Sequence, residues 1–253
     1  MDIYGEYTFT IRSFDCGRGG EATLPAICNY LQEAANLHAD ALGISSYDFR
    51  EAKNNLTWVI TRMHIRMARF PKRNEEFKVL TFPRPGRKVA FYRDYIVTSA
   101  DGERLGVATT EWVIIDLSTR RLAPITGDIL EFANDVREPA FTTDAFTRFK
   151  YPEKEVGDGS GSESERSAES GRVEILAGRT HIDLNGHVNN VHYIEWLLET
   201  VPEGMPKELE IVFRTESFAG ERMVSESCTG KDGIRYHRIC GADGSTRIIA
   251  KTL

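Results

Sequence analysis

The same order of secondary-structure signals occurs twice along this chain, which limits the folds it can adopt. In the first half, a strand pattern over Tyr4–Phe14 leads through a glycine-rich turn into an amphipathic helix. The apolar residues of this helix recur at three- and four-residue steps from Leu24 to Leu42, and Gly43 closes it. Strand patterns then follow near residues 57–67, 76–82, 88–99 and 105–116. One helix among several strands predicts an α+β unit with an antiparallel sheet.

The second half repeats this plan in fewer residues. A strand near 172–180 and a polar turn precede a helix over about 189–201, which Asn189 or Asn190 is placed to cap. Four strands are predicted near 207–216, 221–229, 233–240 and 246–252. The pair Phe14-Asp15 echoes Ile182-Asp183, although we interpret Asp15 as a turn residue because no matching Asn and His follow it.

Composition separates the two copies. Residues 1–150 are predicted to form the first copy, together with a partly ordered crossing segment from about residue 120 onward. Residues 151–171 are rich in Gly, Ser and Glu and are expected to form a linker, because they carry too few apolar groups to offset the entropy of ordering. The second copy then covers residues 172–253.

Candidate catalytic groups precede the second helix. Asp183, Asn185 and His187 are spaced at every second position, which in an extended stretch places all three on one side. A carboxylate, an amide and an imidazole near a helix N-terminus suit hydrolysis with a stabilised oxyanion. The alternative is structural, since Asp-Leu-Asn-Gly is also a turn signal. We favour the extended interpretation.

Two segments carry a family resemblance. The run from Asp183 to Trp196, Asp-Leu-Asn-Gly-His-Val-Asn-Asn-Val-His-Tyr-Ile-Glu-Trp, resembles the active-site signature of the acyl-acyl-carrier-protein thioesterases of bacteria and plant plastids. Phe213-Arg-Thr-Glu-Ser217 resembles the second catalytic segment of that family. The resemblance implies a tandem hotdog fold, in which each half is an antiparallel sheet wrapped around a central helix, with the acyl pocket in residues 1–150.

The resemblance also implies a reaction and a catalytic set. The reaction is hydrolysis of fatty acyl-acyl carrier protein, which releases the free fatty acid and ends fatty-acid synthesis. The catalytic residues carried over are Asp183, Asn185, His187 and Glu216. Ser217 stands where many plant members have Cys, so a thiolate nucleophile is excluded at this position and a water-mediated reaction is favoured. Ser217 acting as a nucleophile activated by His187 is a further possibility.

Other functions are compatible with these residues. Hydrolysis of acyl-coenzyme A, or of another carrier-linked acyl group, needs the same catalytic groups and differs in docking surface and pocket. A hotdog protein that binds acyl groups without catalysis is the alternative from another class. We expect no cofactor and no metal, because the histidines lack a metal-ligand pattern and the four cysteines form no close pair.

Charge points to an anionic partner. The formal net charge is −6, yet ten Lys or Arg residues lie between Arg62 and Arg93 against two Glu. If they share a face, this stretch would attract an acidic acyl carrier protein with its phosphopantetheine arm. The acidic total argues against nucleic acid. The sequence shows no membrane span and no targeting segment, so a cytoplasmic location is expected. A tandem chain supplies internally the pairing that single hotdog domains obtain by dimerising, so we expect a monomer or a homodimer.

Overall fold

The computed structural model describes residues 3–52, 55–86, 89–125, 138–141, 144–152, 170–201 and 204–253. Within it the chain divides into two compact units, Met1–Phe146 and Thr147–Leu253. Most of the predicted linker, residues 153–169, lies outside the described residues. The described helices include none long and apolar enough to cross a membrane.

The first unit is an antiparallel sheet with a long helix. The described elements are β1 (Gly5–Thr10), α1 (Leu24–Leu42), α2 (Ser46–Glu51), β2 (Leu56–Met67), β3 (Glu76–Pro85), β4 (Phe91–Ser99), β5 (Arg104–Asp116) and β6 (Arg121–Ala123). The strands pair in the order β1–β3–β4–β5–β2, and the short β6 pairs with β5. The first strand therefore pairs with the third, and the second strand with the fifth.

Local sequence accounts for the bounds of α1. The side chain of Thr23 accepts a hydrogen bond from the amide of Ala26 and caps the start, where Pro25 needs no amide partner. Gly43 ends the helix in the left-handed conformation, with φ of 70°. The apolar face, including Ile27 and Leu31, is fully buried, and α1 packs on β1 and β3. The predicted helix from Leu24 to Leu42 is confirmed.

The second unit repeats the sheet order with a shorter helix. Its elements are β7 (Gly171–Leu176), α3 (Asn190–Leu198), β8 (Glu208–Phe213), β9 (Arg222–Thr229), β10 (Arg235–Gly241) and β11 (Thr246–Thr252). The strands pair antiparallel as β7–β9–β10–β11–β8, which is the order of the first unit. Helix α3 packs on β9 and β10. Asn189, one of the two predicted caps, accepts a hydrogen bond from the amide of Val191.

Several predicted bounds were wrong. The strands predicted over 4–14 and 172–180 end at Thr10 and Leu176, because short 3₁₀ turns at Ser13–Asp15 and Arg179–His181 follow them. The second helix ends at Leu198, three residues early. Helix α2 and strand β6 were not predicted. They span six and three residues, too few to show a periodic pattern.

A buried carboxylate in each unit holds part of the segment that was predicted to cross between the copies. In the first unit Asp94, which is fully buried, accepts the amide of Ala140 at 2.8 Å and the guanidinium of Arg84 at 2.7 Å. In the second unit Glu210 accepts the amide and hydroxyl of Thr147, each at 2.8 Å, beside the ammonium of Lys251 at 3.1 Å. These contacts satisfy backbone groups that have no strand partner.

Candidate active site

The candidate residues Asp183, Asn185 and His187 lie in a tight turn. Residues Ile182 and Val188 pair as an antiparallel bridge, and the amide of Asp183 donates to the carbonyl of His187 at 2.8 Å. Gly186 closes the turn with φ of 82°, a conformation that favours glycine. The extended interpretation was therefore wrong, and the Asp-Leu-Asn-Gly turn signal predicted the local structure correctly.

Asp183 organises this turn. One of its carboxylate oxygens, Oδ1, accepts the amide of Asn185 at 2.8 Å and the amide of His187 at 3.2 Å. The carboxylate thus fixes the backbone on either side of Gly186. Asn185 is exposed at the tip of the turn, where its side-chain amide can meet a ligand from solvent.

The fourth candidate, Glu216, meets His187 although the two are distant in sequence. The His187 Nε2 and Glu216 Oε2 atoms lie 3.3 Å apart, with the side chains 14% and 30% exposed. The Phe218 ring stands edge-on to the imidazole, with centroids 5.1 Å apart. The amide of Val188 donates to the carbonyl of Ser217 at 2.9 Å, which joins the turn to the segment that carries Glu216.

Such a pair can move protons. A partly buried imidazole whose second nitrogen contacts a carboxylate is oriented for general-base catalysis, and the remaining exposure lets water or a substrate approach. His187 lies two residues before Asn189, which caps the start of α3 (Asn190–Leu198), and the partial positive charge at that end of a helix favours a developing anion.

Ser217 is packed inside the second unit. Its side chain is fully buried, and its hydroxyl donates to the sulfur of Met223 at 3.2 Å. A nucleophilic serine needs a base within hydrogen-bonding reach and access for the acyl carbon. The arrangement therefore disfavours Ser217 as the nucleophile.

We expect Ser217→Ala to retain kcat within about threefold of the wild-type value, because the hydroxyl donates to a thioether, a weak acceptor, and can be removed with little loss. Steady-state hydrolysis of a thioester checks this expectation. A circular-dichroism melting curve controls for folding. A loss of 10³-fold from well-folded protein, comparable with removing a nucleophile, would restore the serine mechanism.

The first unit has an equivalent turn without the equivalent side chains. There Cys16 pairs with Ala22, the amide of Gly17 donates to the carbonyl of Glu21, and Gly20 has φ of 76°. The equivalent hydrogen bonds of the two turns show which residues correspond. Gly17, Gly19, Glu21 and Phe70 occupy the positions of Asp183, Asn185, His187 and Glu216.

This correspondence corrects the register expected from the sequence. Asp15 ends a 3₁₀ turn as His181 does, so it matches His181 and not Asp183. Asp15 is also more than a turn residue. It is 8% exposed, accepts the Tyr30 hydroxyl at 2.6 Å and pairs with Arg12 at 3.1 Å. These hydrogen bonds hold the pKa of Asp15 below its usual value even though burial acts to raise it.

Two further histidines, His181 and His192, lie close together, and they were not predicted from the sequence as a functional cluster. The His192 Nδ1 atom lies 2.6 Å from Glu195 Oε2, and the His181 ring lies 4.7 Å from that of His192. Burial, followed by the nearby His192, lowers the pKa of His181. The His-x-x-Glu spacing on a helix was the available signal. Within the described residues, no three His, Cys, Asp or Glu side chains gather in a group that could hold a metal ion.

The basic stretch expected to dock a partner is largely engaged within the first unit. Arg93 is buried, with its guanidinium 2.9 Å from His38 Nδ1. Arg84 pairs with Asp94, and Arg69 with both Glu75 and Glu103. Lys78 pairs with Glu6, and Arg87 and Lys88 lie outside the described residues. The expected common basic face is therefore not formed by Arg69, Arg84 and Arg93.

Known protein families match both units of the chain. Family models described as the acyl-ACP thioesterase N-terminal and C-terminal domains match residues 4–133 and 164–247. An oleoyl-acyl carrier protein thioesterase of Coriandrum sativum is 31% identical over 77% of this chain and 53% of its own length. A second from Arabidopsis thaliana is 29% identical over 94% of this chain and 66% of its own length. The chain spans between half and two thirds of the length of these two relatives.

Solved structures establish the fold. The 12:0-ACP thioesterase of Umbellularia californica superposes with a TM-score of 0.84 at 24% identity, covering 100% of this chain and 97% of that one. An acyl-ACP thioesterase of Bacteroides thetaiotaomicron gives 0.81 at 23% identity, covering 99% and 97%. The predicted tandem hotdog, an antiparallel sheet with a helix in each half, is confirmed. With both of its units matched by the corresponding domain models, the chain belongs to the acyl-ACP thioesterase family.

Proposed function

We propose that this protein hydrolyses the thioester of fatty acyl-acyl carrier protein, releasing the free fatty acid and so ending fatty-acid synthesis. The observation that carries the proposal is the contact of His187 with Glu216 at 3.3 Å, beside the Asp183 turn, in a chain of this family. The names of its relatives, oleoyl- and palmitoyl-acyl carrier protein thioesterases, support a long-chain acyl substrate.

Each residue has its own role in the proposed reaction. Glu216 orients the imidazole of His187 and stabilises its protonated form, so His187 can take a proton from water. The water oxygen attacks the acyl carbon, and the thioester carbonyl becomes an oxyanion. The exposed amide of Asn185 is placed to donate to that oxygen. The C–S bond then breaks, and protonated His187 returns the proton to the departing thiolate.

Asp183 acts through the backbone in this scheme. Its two amide contacts set the positions of Asn185 and His187 relative to each other. Ser217 takes no part, because its hydroxyl is buried against Met223. No covalent acyl-enzyme is formed, and water is the sole nucleophile.

A panel of acyl-acyl carrier protein thioesters of about eight to eighteen carbons tests the proposal, with matched acyl-coenzyme A and a parallel assay of acyl-ligand binding. We expect turnover with the carrier-protein substrates, and we expect higher kcat/KM than with acyl-coenzyme A because the carrier protein adds binding contacts. Preference for acyl-coenzyme A would instead indicate the coenzyme A thioesterase. Binding without hydrolysis of any thioester, from folded protein, would contradict enzymatic function.

A further inference from the structure

The catalytic turn lies at one end of the second-unit sheet. Several carboxylates at this end already contact groups of the protein. At this end β7 (Gly171–Leu176) finishes and β9 (Arg222–Thr229) begins, joined by the amide of Ala177 donating to the carbonyl of Glu221. Asp183 accepts turn amides, and Glu216 contacts His187. Glu221 and Asp243 share the guanidinium of Arg247 at 3.0 and 3.6 Å.

Three arginines at the same end have no carboxylate partner in the described part of the chain. Arg179 opens the 3₁₀ turn after β7, Arg214 follows β8 (Glu208–Phe213), and Arg222 is the first residue of β9. All three side chains are exposed. Among the described residues none of them forms an ion pair, whereas the arginines of this unit at 172, 238 and 247 each hold a carboxylate. Their donors are therefore available to a partner from solution.

Apolar side chains lie exposed beside the same turn. Leu184, next to Asn185 at the tip, is 93% exposed, and Phe218, which contacts the His187 ring, is 47% exposed. These two side chains give this end of the sheet apolar surface beside the His187–Glu216 pair. A partner that fits must offer carboxylates or phosphates around an apolar contact, because guanidinium groups bind such anions with two parallel hydrogen bonds.

We propose that Arg179, Arg214 and Arg222, at the end of the sheet that also carries Leu184 and Phe218, form the docking surface for the acidic carrier protein that presents the acyl thioester. This inference rests on the proposed function. Because the chain carries a net charge of −6, attraction of an anion is confined to this local group of cations, and a compact acidic protein can contact that group without approaching the rest of the acidic surface. The docking surface thus lies on the unit that carries the dyad, and the basic stretch of the first unit is not required for it.

The test compares the triple variant Arg179→Gln, Arg214→Gln, Arg222→Gln with the wild type on three substrates that share one acyl chain. These are acyl carrier protein, acyl-coenzyme A and the uncharged thioester of N-acetylcysteamine. For the carrier protein we expect KM to rise about 10-fold with kcat nearly unchanged, and the dependence of kcat/KM on salt to weaken. Hydrolysis of the uncharged thioester should stay within twofold of wild type, because the dyad is untouched.

A matched control removes the same charge elsewhere. Arg104, Arg121 and Arg148 are exposed, and the triple Arg→Gln variant at these positions should keep the wild-type KM for the carrier protein. An equal rise in KM for acyl-coenzyme A would overturn the proposal, since the arginines would then recognise the shared phosphopantetheine phosphate. An unchanged KM for the carrier protein would also overturn it while leaving the proposed hydrolysis intact. Wild-type protein inactive on all three substrates would instead refute the proposed function.

Discussion

Replacing His187 with alanine is expected to lower kcat for acyl-acyl carrier protein by about 10² to 10⁴-fold, the usual contribution of a positioned general base. The imidazole is the general base of the proposed reaction, and its contact with Glu216 at 3.3 Å orients it for that role. KM should change little, because substrate binding relies on other contacts. Single-turnover hydrolysis of one acyl-acyl carrier protein measures the effect on the chemical step.

Glu216→Gln provides the matched comparison. The amide keeps the shape of the side chain and removes its negative charge, so we expect a loss of activity that is smaller than that of His187→Ala. If the pair acts as a unit, the double variant should be no slower than His187→Ala alone. Fully additive losses would show that the two residues contribute separately, and wild-type turnover of His187→Ala would refute the mechanism.

Asp183→Ala is expected to lower kcat on the order of 10²-fold, the cost of displacing reacting groups by about an ångström. Without the carboxylate the amides of Asn185 and His187 lose their common acceptor, so the turn no longer sets where their side chains point. Because this turn lies at the surface, the melting temperature should fall by only a few degrees. Turnover and a thermal melt on the same preparation separate the two effects.

Asp183→Asn tests whether the oxygen or the charge matters. An asparagine oxygen can accept the same two amide hydrogen bonds, so a positioning role predicts substantial recovery relative to Asp183→Ala. If Asp183→Asn is as slow as Asp183→Ala, the negative charge itself is required and Asp183 acts directly on the reacting groups. If Asp183→Ala keeps wild-type turnover, the turn does not need this anchor.

Local sequence was sufficient for much of the architecture. The bounds of α1 follow from Thr23, Gly43 and a continuous apolar face, all of which act within a few residues. The duplicated order of elements along the chain was also predictable, because alternating apolar residues and turn residues mark each strand. The turn at Asp183 could have been predicted as well, since Asp-Leu-Asn-Gly carries its own signal. The extended interpretation gave too much weight to the two-residue spacing.

The sequence by itself determined the two α+β copies, the position of the candidate turn and, through resemblance, the four residues assigned to it. Only the tertiary structure decided that Glu216 meets His187, that the Ser217 hydroxyl faces Met223, and that Arg93 is buried instead of exposed. It also decided the register between the copies, in which Asp15 matches His181. The reason is that helix caps and turns depend on neighbouring residues, whereas the direction and partners of a side chain depend on strand pairing between residues far apart in sequence.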